Sequence, residues 1–503
     1  MNLVKRNLLF NYLGNFVLTI LPLIIIPIYL KNLGKAEYGL FGFYATLQTM
    51  FIVLDLGLGA TINRELARFH DAKQLNQYIN DLFKTFDIIY WGIAIFVGVS
   101  IWAFSPIIVN YINSNELNER LVFYSVLLMG LLLLFRWPIV LYTNGLLGIQ
   151  KQVIYNIIYV CVEIAKSFTS VIVLVYFTNS LEVFFYLQIL FSIISLLILR
   201  RVLTKGISYS SRFSKFDLNI IKHHKPFLSG VLVMTLIAVV LTQIDKILLV
   251  RYVPISTFGY YTLAFMIATS VSRVSTPIGQ TYYPQFVNSI QQNNHKLFAD
   301  LYHKSSQLVA IVIIPACLIM CFFAKELLFL WTSNIEMAEK THMPLSILAI
   351  GTMATSLFGI SNSAQLALGW TKLIILQNII SGIILIPLLI ILIPKYGMIA
   401  AALFYAVSNL INLFIGVPLM FKKILRGEFN MWIIHDILKP LVLGLSIVGL
   451  FRVIFNALSI ESRITILIFI SMTGLFSLLA IALCYSFAKN IIWRNFKKFK
   501  FIK

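Results

Sequence analysis

The stretch that decides the fold of this 503-residue chain covers residues 227–284 and reads FLSGVLVMTLIAVVLTQIDKILLVRYVPISTFGYYTLAFMIATSVSRVSTPIGQTYYP. It contains two long apolar runs joined by a short turn, and each run is long enough to cross a bilayer as a helix, which takes roughly 20 residues. Asp245, Lys246 and Arg273 lie inside these runs. A charge at that depth costs at least about 2.5 to 3.5 kcal/mol, so it normally faces a protein interior or a wet cavity. The stretch therefore predicts a helical hairpin that lines a polar path through a membrane.

The composition of the whole chain agrees with a membrane protein. Hydrophobic residues make up 59% of the sequence and charged residues only 12%, whereas a soluble protein has about 25% charged residues. The net charge of +21 would suggest a nucleic-acid partner in a soluble chain. Here the basic residues cluster in predicted loops, where they set the topology. We therefore expect a multi-span membrane protein and no nucleic-acid partner.

Apolar windows predict about 14 transmembrane helices in an all-α integral membrane protein. Six fall within residues 8–199, six within residues 227–421 and two within residues 438–488. An even number of spans places both termini on one side of the membrane. Lys and Arg are far more frequent in the loops of that side, which predicts that both termini are cytoplasmic.

Two pairs of similar short segments indicate an internal repeat. The segment EYGLF at residues 37–41 matches TFGYY at residues 257–261, and LGIQK at residues 147–151 matches LGWTK at residues 368–372. The two offsets, 220 and 221 residues, are nearly equal, which favours two homologous halves. We predict a six-helix bundle at 1–205, a basic cytoplasmic linker at 206–225 and a second bundle at 226–425. Two extra transmembrane helices and a basic cytoplasmic tail follow at 426–503.

The sequence carries no pattern typical of an enzyme. It has neither a Walker A glycine-lysine loop nor a zinc-binding His-Glu-x-x-His pair. The four cysteines lie in apolar runs without neighbouring metal ligands, so we interpret them as small buried hydrophobes. We therefore expect no catalytic residues, no metal site and no bound cofactor.

Several predicted spans carry polar side chains on one helical face. Asn156, Glu163 and Lys166 recur at helical spacing in the fifth span, and Arg273, Thr276 and Gln280 do so in the eighth. Lipid would accept none of these faces, so we expect them to line a shared wet lumen. The other candidates for this lining are Asn11, Asn15 and Gln48.

Cations outnumber carboxylates in the predicted lumen. Arg136, Lys166, Arg273 and Lys246 are the candidate substrate-binding residues. A cationic cavity attracts anions, and guanidinium groups suit phosphate or carboxylate especially well. A structural interpretation stays open for some of them, since Glu163 and Lys166 could neutralise one another and Lys246 could hold Asp245.

Several segments together resemble a known family. They are NYLGN at residues 11–15, LDLGLG at 54–59, RELA at 64–67, QIDK at 243–246 and FGYY at 258–261. These are similar to the polysaccharide biosynthesis flippases of the Wzx type, in the multidrug, oligosaccharidyl-lipid and polysaccharide exporter superfamily. The resemblance covers the whole chain through loose, hydrophobic motifs.

The resemblance implies a flippase of the bacterial inner membrane. Such a protein moves an undecaprenyl-pyrophosphate-linked oligosaccharide repeat unit from the cytoplasmic to the outer leaflet, for O-antigen, capsule or exopolysaccharide biosynthesis. Two six-helix bundles would form a V that alternates its opening, as in MATE transporters. A proton or sodium gradient would drive it, with Asp245 and Glu163 as candidate coupling groups, and a glycan polymerase would be a partner.

Three alternatives remain open at this point. A multidrug or metabolite cation antiporter of the same superfamily would share the fold but is expected to have an acidic cavity. A lipid II flippase would have a cationic cavity too. A membrane glycan polymerase or ligase would be an enzyme, but it ordinarily needs a large outer loop, and the predicted outer loops are short.

Overall fold

A computed structural model describes residues 3–69, 76–210, 214–370, 372–458, 462–485 and 489. Parts of the predicted linker and nearly all of the basic tail after residue 485 therefore lie outside the described residues. Within those ranges the regular secondary structure is entirely helical. The prediction of an all-α protein is thus confirmed for the part of the chain that can be described.

The chain divides into two compact units, residues 1–259 and 260–503. The helices that begin in the first unit are α1 (Leu3–Leu33), α2 (Lys35–Phe51), α3 (Leu58–Phe69), α4 (Asn76–Ala103), α5 (Ser105–Tyr111), α6 (Glu119–Gly148), α7 (Gln152–Tyr176), α8 (Leu181–Gly206), α9 (Leu218–Tyr252) and α10 (Ile255–Ser270), with a 3-10 turn at Ile52–Asp55. Helix α10 continues past the boundary at Gly259 into the second unit.

The helices that begin in the second unit are α11 (Ser272–Gln291), α12 (His295–Phe322), α13 (Ala324–Thr332), α14 (Ile335–Ala367), α15 (Lys372–Tyr396), α16 (Met398–Ile411), α17 (Val417–Lys423), α18 (Phe429–Met431), α19 (Lys439–Ala457) and α20 (Arg463–Leu483). Two π-helical segments, Asn412–Gly416 and Trp432–Leu438, join α16 to α17 and α18 to α19.

Twelve helices of the described chain are long and apolar enough to cross a membrane, and the count rises to 13 if one bent pair forms a single span. The bent pair is Lys35–Asp55 with Leu58–Arg68. The sequence predicts about 14 spans. With the bent pair counted, the structure has one span fewer than the sequence predicts. The difference lies at residues 258–284, where the sequence predicts one helix and the structure has two consecutive helices, α10 and α11.

Each unit has its own hydrophobic core. In the first unit, buried residues of α3, α4, α6, α8 and α9 form one hydrophobic cluster, which includes Phe83, Tyr142 and Leu199. Large apolar side chains elsewhere on the helices are exposed, such as Phe96 of α4, which is 66% exposed. An apolar exterior of this kind is what the bilayer requires of a spanning helix. The structure is that of a multi-pass membrane protein.

The core of the second unit also contains a buried polar group. Trp432, Tyr302 and Phe421 pack together in its apolar part. Beside them Asp436 is fully buried and accepts hydrogen bonds from the amide of Gln307 at 2.7 Å and from an imidazole nitrogen of His303 at 2.6 Å. These bonds join α12 to the π-helical segment before α19, and they compensate for burying a carboxylate.

The two glycines matched in the repeat meet in the structure. A Cβ placed on Gly259 would lie 3.0 Å from the Cα of Gly39, and one placed on Gly39 would overlap the carbonyl oxygen of Ile255. The starts of α2 and α10 therefore approach too closely for any side chain at Gly39. Small residues permit such helix contacts in membranes.

A sharp break separates α2 from α3, within the span that the sequence predicts at residues 38–60. Leu56 and Gly57 both have positive φ, 53° and 78°, and α3 leaves the preceding helix at 56°. The Asp55 carboxylate accepts hydrogen bonds from the backbone N–H of Gly59 and the hydroxyl of Tyr90. These bonds hold the start of α3 against α4 and direct the amphipathic α3 away from the axis of α2.

Candidate functional site

A polar cavity of about 240 Å³ lies among four helices of the first unit. Its charged residues are Arg136 from α6 and Glu163 and Lys166 from α7. The other polar side chains that line it are Gln48, Thr143, Asn144, Tyr155, Tyr159, Ser192 and Ser195. Helices α2 and α8 thus supply uncharged polar groups, while α6 and α7 supply the charges.

Glu163 and Lys166 form an ion pair inside this cavity. The carboxylate oxygen lies 2.5 Å from the ammonium nitrogen, and the two side chains are 20% and 11% exposed. Residues three apart share one face of a helix, which explains the pairing. The two residues therefore do pair, and the pair also lines the cavity.

Arg136 gives the cavity its excess positive charge. The guanidinium interacts electrostatically with Glu163, Tyr44 and Tyr159. Glu163 is ion-paired with Lys166 and also lies within electrostatic range of Arg136, so the described lining carries two cations and one carboxylate. A guanidinium has five donors and cannot lose its proton in a protein. The arrangement retains both charge and hydrogen-bonding capacity for an anion.

Lys246 and Asp245 pair with each other on α9. The Lys246 ammonium lies 3.3 Å from the Asp245 carboxylate and donates a hydrogen bond to the carbonyl oxygen of Thr242 at 2.8 Å. Both residues are buried. Neither lines the Arg136 cavity. Their binding and coupling roles stay predictions.

The remaining candidates of the eighth predicted span lie in the second unit. Arg273 is exposed near the start of α11. Thr276 and Gln280 line a separate cavity of about 500 Å³ between α11 and α14, and Arg273 is not among its lining residues. All three residues lie on α11, which begins only at Ser272.

The polar candidates of the first unit are placed unequally. Gln48 lines the Arg136 cavity, whereas Asn156 does not. Asn156 lies beside Gly14, and a Cβ placed on Gly14 would lie 3.1 Å from the side-chain oxygen of Asn156. The side chains of Asn11 and Asn15 lie outside what the structure describes. A role for these residues in the lumen stays a prediction.

Two sets of lining residues are not evident from the sequence. Ser192 and Ser195 of α8 line the first cavity, and Thr355 and Ser363 of α14 line the second. Each set recurs at helical spacing, as the detected stripes do, but Ser and Thr are too common in spans to stand out without a charged neighbour. In the described part of the chain, no group of three or more His, Cys, Asp or Glu residues could hold a metal ion.

The fold is shared with solved membrane transporters. The structure entitled "Lipid II flippase MurJ, inward closed conformation" is 16% identical, with a TM-score of 0.68, and covers 97% of this chain and 99% of its own. A multidrug resistance MATE family transporter of the MOP superfamily, in an inward-facing conformation, is 13% identical with a TM-score of 0.66 and covers 80% of this chain and 95% of its own. A MATE transporter from Vibrio cholerae, in its bent form, is 14% identical with a TM-score of 0.56 and covers 86% and 98%. Fold and cavity together define a multi-pass membrane protein with the fold of MATE and MurJ transporters.

The sequence comparison is more specific about family. The model of the family described as "Polysaccharide biosynthesis protein" matches residues 4–290, more than half of the chain. The chain belongs to this family, which confirms the resemblance. A Shigella flexneri protein named "Putative O-antigen transporter" is 20% identical over 418 residues, which span 81% of this chain and 96% of that protein.

Proposed function

We propose that this protein is a flippase for an undecaprenyl-pyrophosphate-linked oligosaccharide repeat unit. It moves the unit from the cytoplasmic to the outer leaflet of the bacterial inner membrane, for O-antigen, capsule or exopolysaccharide biosynthesis. The observation that carries the proposal is the first-unit cavity, whose described lining carries two cations, Arg136 and Lys166, and one carboxylate, Glu163. A pyrophosphate or an acidic sugar is the ligand that such a cavity suits best.

The proposed architecture is that of an alternating-access transporter. Fourteen spans form two six-helix bundles in a V, at 1–205 and 226–425, with two further helices and both termini in the cytoplasm. The 206–225 segment links the bundles. The fold shared with MATE and MurJ transporters supports this arrangement, as does the excess of Lys and Arg in the loops assigned to the cytoplasm.

Energy for the movement comes from a proton or sodium gradient in this proposal, and the protein is a secondary transporter without enzymatic activity. Glu163 and Asp245 are the proposed coupling groups, since each is paired with a Lys inside a span. A carboxylate in such a position changes its partner when it gains a proton or binds a cation. Movement of the lipid-linked glycan in liposomes without any ion gradient, at the rate found with one, would contradict the coupling.

Substrate binding by Arg136 and Lys166 is tested by complementing a strain that lacks the gene. Arg136→Ala and Lys166→Ala should reduce surface polysaccharide by about tenfold or more, because charge-assisted hydrogen bonds contribute about 1.5 to 3 kcal/mol each. Arg136→Lys should restore only part of it, since a Lys lacks the planar fork. Arg120→Ala is the matched control, because Arg120 lies exposed at the start of the same helix, α6.

The rival functions predict different results in the same strain. Normal surface glycan in both cavity variants, at wild-type protein level, would contradict the proposal. Arrest of peptidoglycan synthesis on deletion would identify a lipid II flippase. Altered drug sensitivity with unchanged glycan would identify a cation antiporter, whereas glycan that reaches the outer face but stays unpolymerised would identify a polymerase or ligase.

A further inference from the structure

The cavity between α11 and α14 differs chemically from the Arg136 cavity. It encloses about 500 Å³ and lies wholly within the second unit. Twelve described residues line it, of which eight have uncharged polar side chains and none is charged. Its volume is that of a typical ligand pocket, about 300 to 1,000 Å³.

The hydroxyl groups of this cavity face it mainly as hydrogen-bond acceptors. Thr276 donates its hydroxyl proton to the carbonyl oxygen of Ser272, and Thr355 and Ser363 donate theirs to carbonyl oxygens one turn earlier in α14, each at 3.0 Å. A hydroxyl that donates to its own helix keeps its lone pairs available. The lining therefore offers acceptors to a ligand that brings its own O–H donors.

One lining hydroxyl has no partner among the described residues. Ser356 is 5% exposed, and its oxygen is buried without a hydrogen bond. An unsatisfied buried hydroxyl costs about 1 to 3 kcal/mol. Gln280 and Tyr283, both exposed, add an amide and a phenol to the same cavity.

The lack of charge among the described lining residues selects the class of ligand. A phosphate inside a membrane protein needs cations, and an ammonium needs a carboxylate or an aromatic cage. A neutral polyhydroxylated ligand needs neither. Its C–H surfaces can contact Gly279 and Ile360, while its hydroxyls donate to Thr276, Thr355 and Ser363.

We propose that the cavity between α11 and α14 binds neutral sugar units of the transported glycan. This inference rests on the proposed function. It assigns the uncharged sugars of the substrate to this cavity. The hydroxyl groups of the ligand would then donate to the free lone pairs of the hydroxyl lining.

The cavity can be filled without disturbing its walls. A Cβ on Gly359 meets no atom within 4 Å, so Gly359→Leu projects into the cavity. Gly449→Leu is the matched control, since Gly449 of α19 also meets nothing within 4 Å and does not line this cavity. In the complemented strain, Gly359→Leu should lower surface glycan to less than about a tenth of wild type, and Gly449→Leu should leave it unchanged.

Folding is checked by the Tm of each purified variant. A second variant removes hydroxyl groups from the cavity without adding volume. Thr355→Ala combined with Ser356→Ala should also reduce surface glycan, while the Tm stays near that of the wild type. Wild-type export by a folded Gly359→Leu protein would overturn the inference. So would loss of export in the Gly449→Leu control to the same degree.

Ligand class is tested by protection from labelling. The full-length protein with Cys161→Ser and Ser363→Cys is placed in nanodiscs and labelled with a neutral maleimide, because Cys161 is exposed and Ser363 lines the cavity. The protein with Cys161→Ser alone gives the background from the other cysteines. Octyl glucoside should slow the labelling, and octyl phosphate and octyltrimethylammonium at equal concentration should not. Equal protection by all three, or protection only by a charged one, would overturn the sugar assignment.

The failure of this inference differs from the failure of the proposed function. If export tolerates a filled second cavity but not Arg136→Ala, the sugar site is wrong and the flippase proposal stands. If deletion of the gene leaves surface glycan unchanged, the proposed function is wrong, whatever the labelling shows.

Discussion

At the scale of single residues, helical spacing predicts pairs on one helix but not partners on different helices. Glu163 and Lys166 stand three apart and do pair. The position of Arg136 beside them depends on the packing of α6 against α7, which spacing does not contain. Arg273 is a second case, because spacing does not predict that Thr276 and Gln280 line a cavity with α14 while Arg273 does not.

The contact between Gly39 and Gly259 yields a prediction at this scale. Gly39→Ala should lower the Tm in detergent, because the new Cβ would overlap the carbonyl oxygen of Ile255 and the backbone must move. Overpacking of this kind costs about 1 to 3 kcal/mol. Gly92→Ala in α4 is the control, since it meets no atom within 4 Å. Equal Tm values for the two variants would show that the helices separate freely there.

At the scale of helices, length and apolarity predict the spans because both are local properties. The breaks are harder to predict, since they depend on contacts that form only in the fold. The bend after Asp55 combines positive φ at Leu56 and Gly57 with bonds to α4 and to the start of α3. Only the Gly57 part of that combination is visible in the sequence.

A polar contact joins α3 to the start of α9, ahead of its apolar stretch. His224 is 3% exposed and lies 3.2 Å from both the Arg64 guanidinium and the Tyr78 hydroxyl. Burial lowers the pKa of His224 from its usual value, and the charges of His223, Arg64 and Arg68 lower it further, against the opposite effect of Glu65. The neutral imidazole can accept a hydrogen bond from Arg64, and the protonated one cannot.

Acid should therefore loosen this contact. The pKa of His224 is lower in the folded than in the unfolded state, so its contribution to stability is complete above about pH 6.5 and is lost as the pH falls below it. The Tm of the wild-type protein should drop more between about pH 7.5 and about pH 5, on either side of the usual histidine pKa, than that of His224→Gln, which stays neutral. Identical pH profiles would contradict this role of the imidazole.

At the scale of the whole molecule, the sequence predicts the class of protein better than it predicts which residues line the cavities. Apolar composition and helix length follow from the bilayer alone, and they lead to the correct fold class. The distribution of charged and uncharged polar residues between the two cavities does not follow from composition and helix length. One cavity carries the charges of Arg136, Glu163 and Lys166, and the other is lined by uncharged hydroxyls. Such a division depends on which stripes face one another, and periodicity in one chain does not encode that.

The central claim is that the Arg136 cavity takes the anionic part of a lipid-linked glycan. Its most direct test is movement of undecaprenyl-pyrophosphate-linked oligosaccharide across the bilayer of liposomes that contain the purified protein, with an ion gradient across that bilayer. The wild-type protein and Arg120→Ala should expose the glycan on the opposite leaflet at equal rates, and Arg136→Ala should be at least about tenfold slower. An unchanged rate in a folded Arg136→Ala protein would contradict the account.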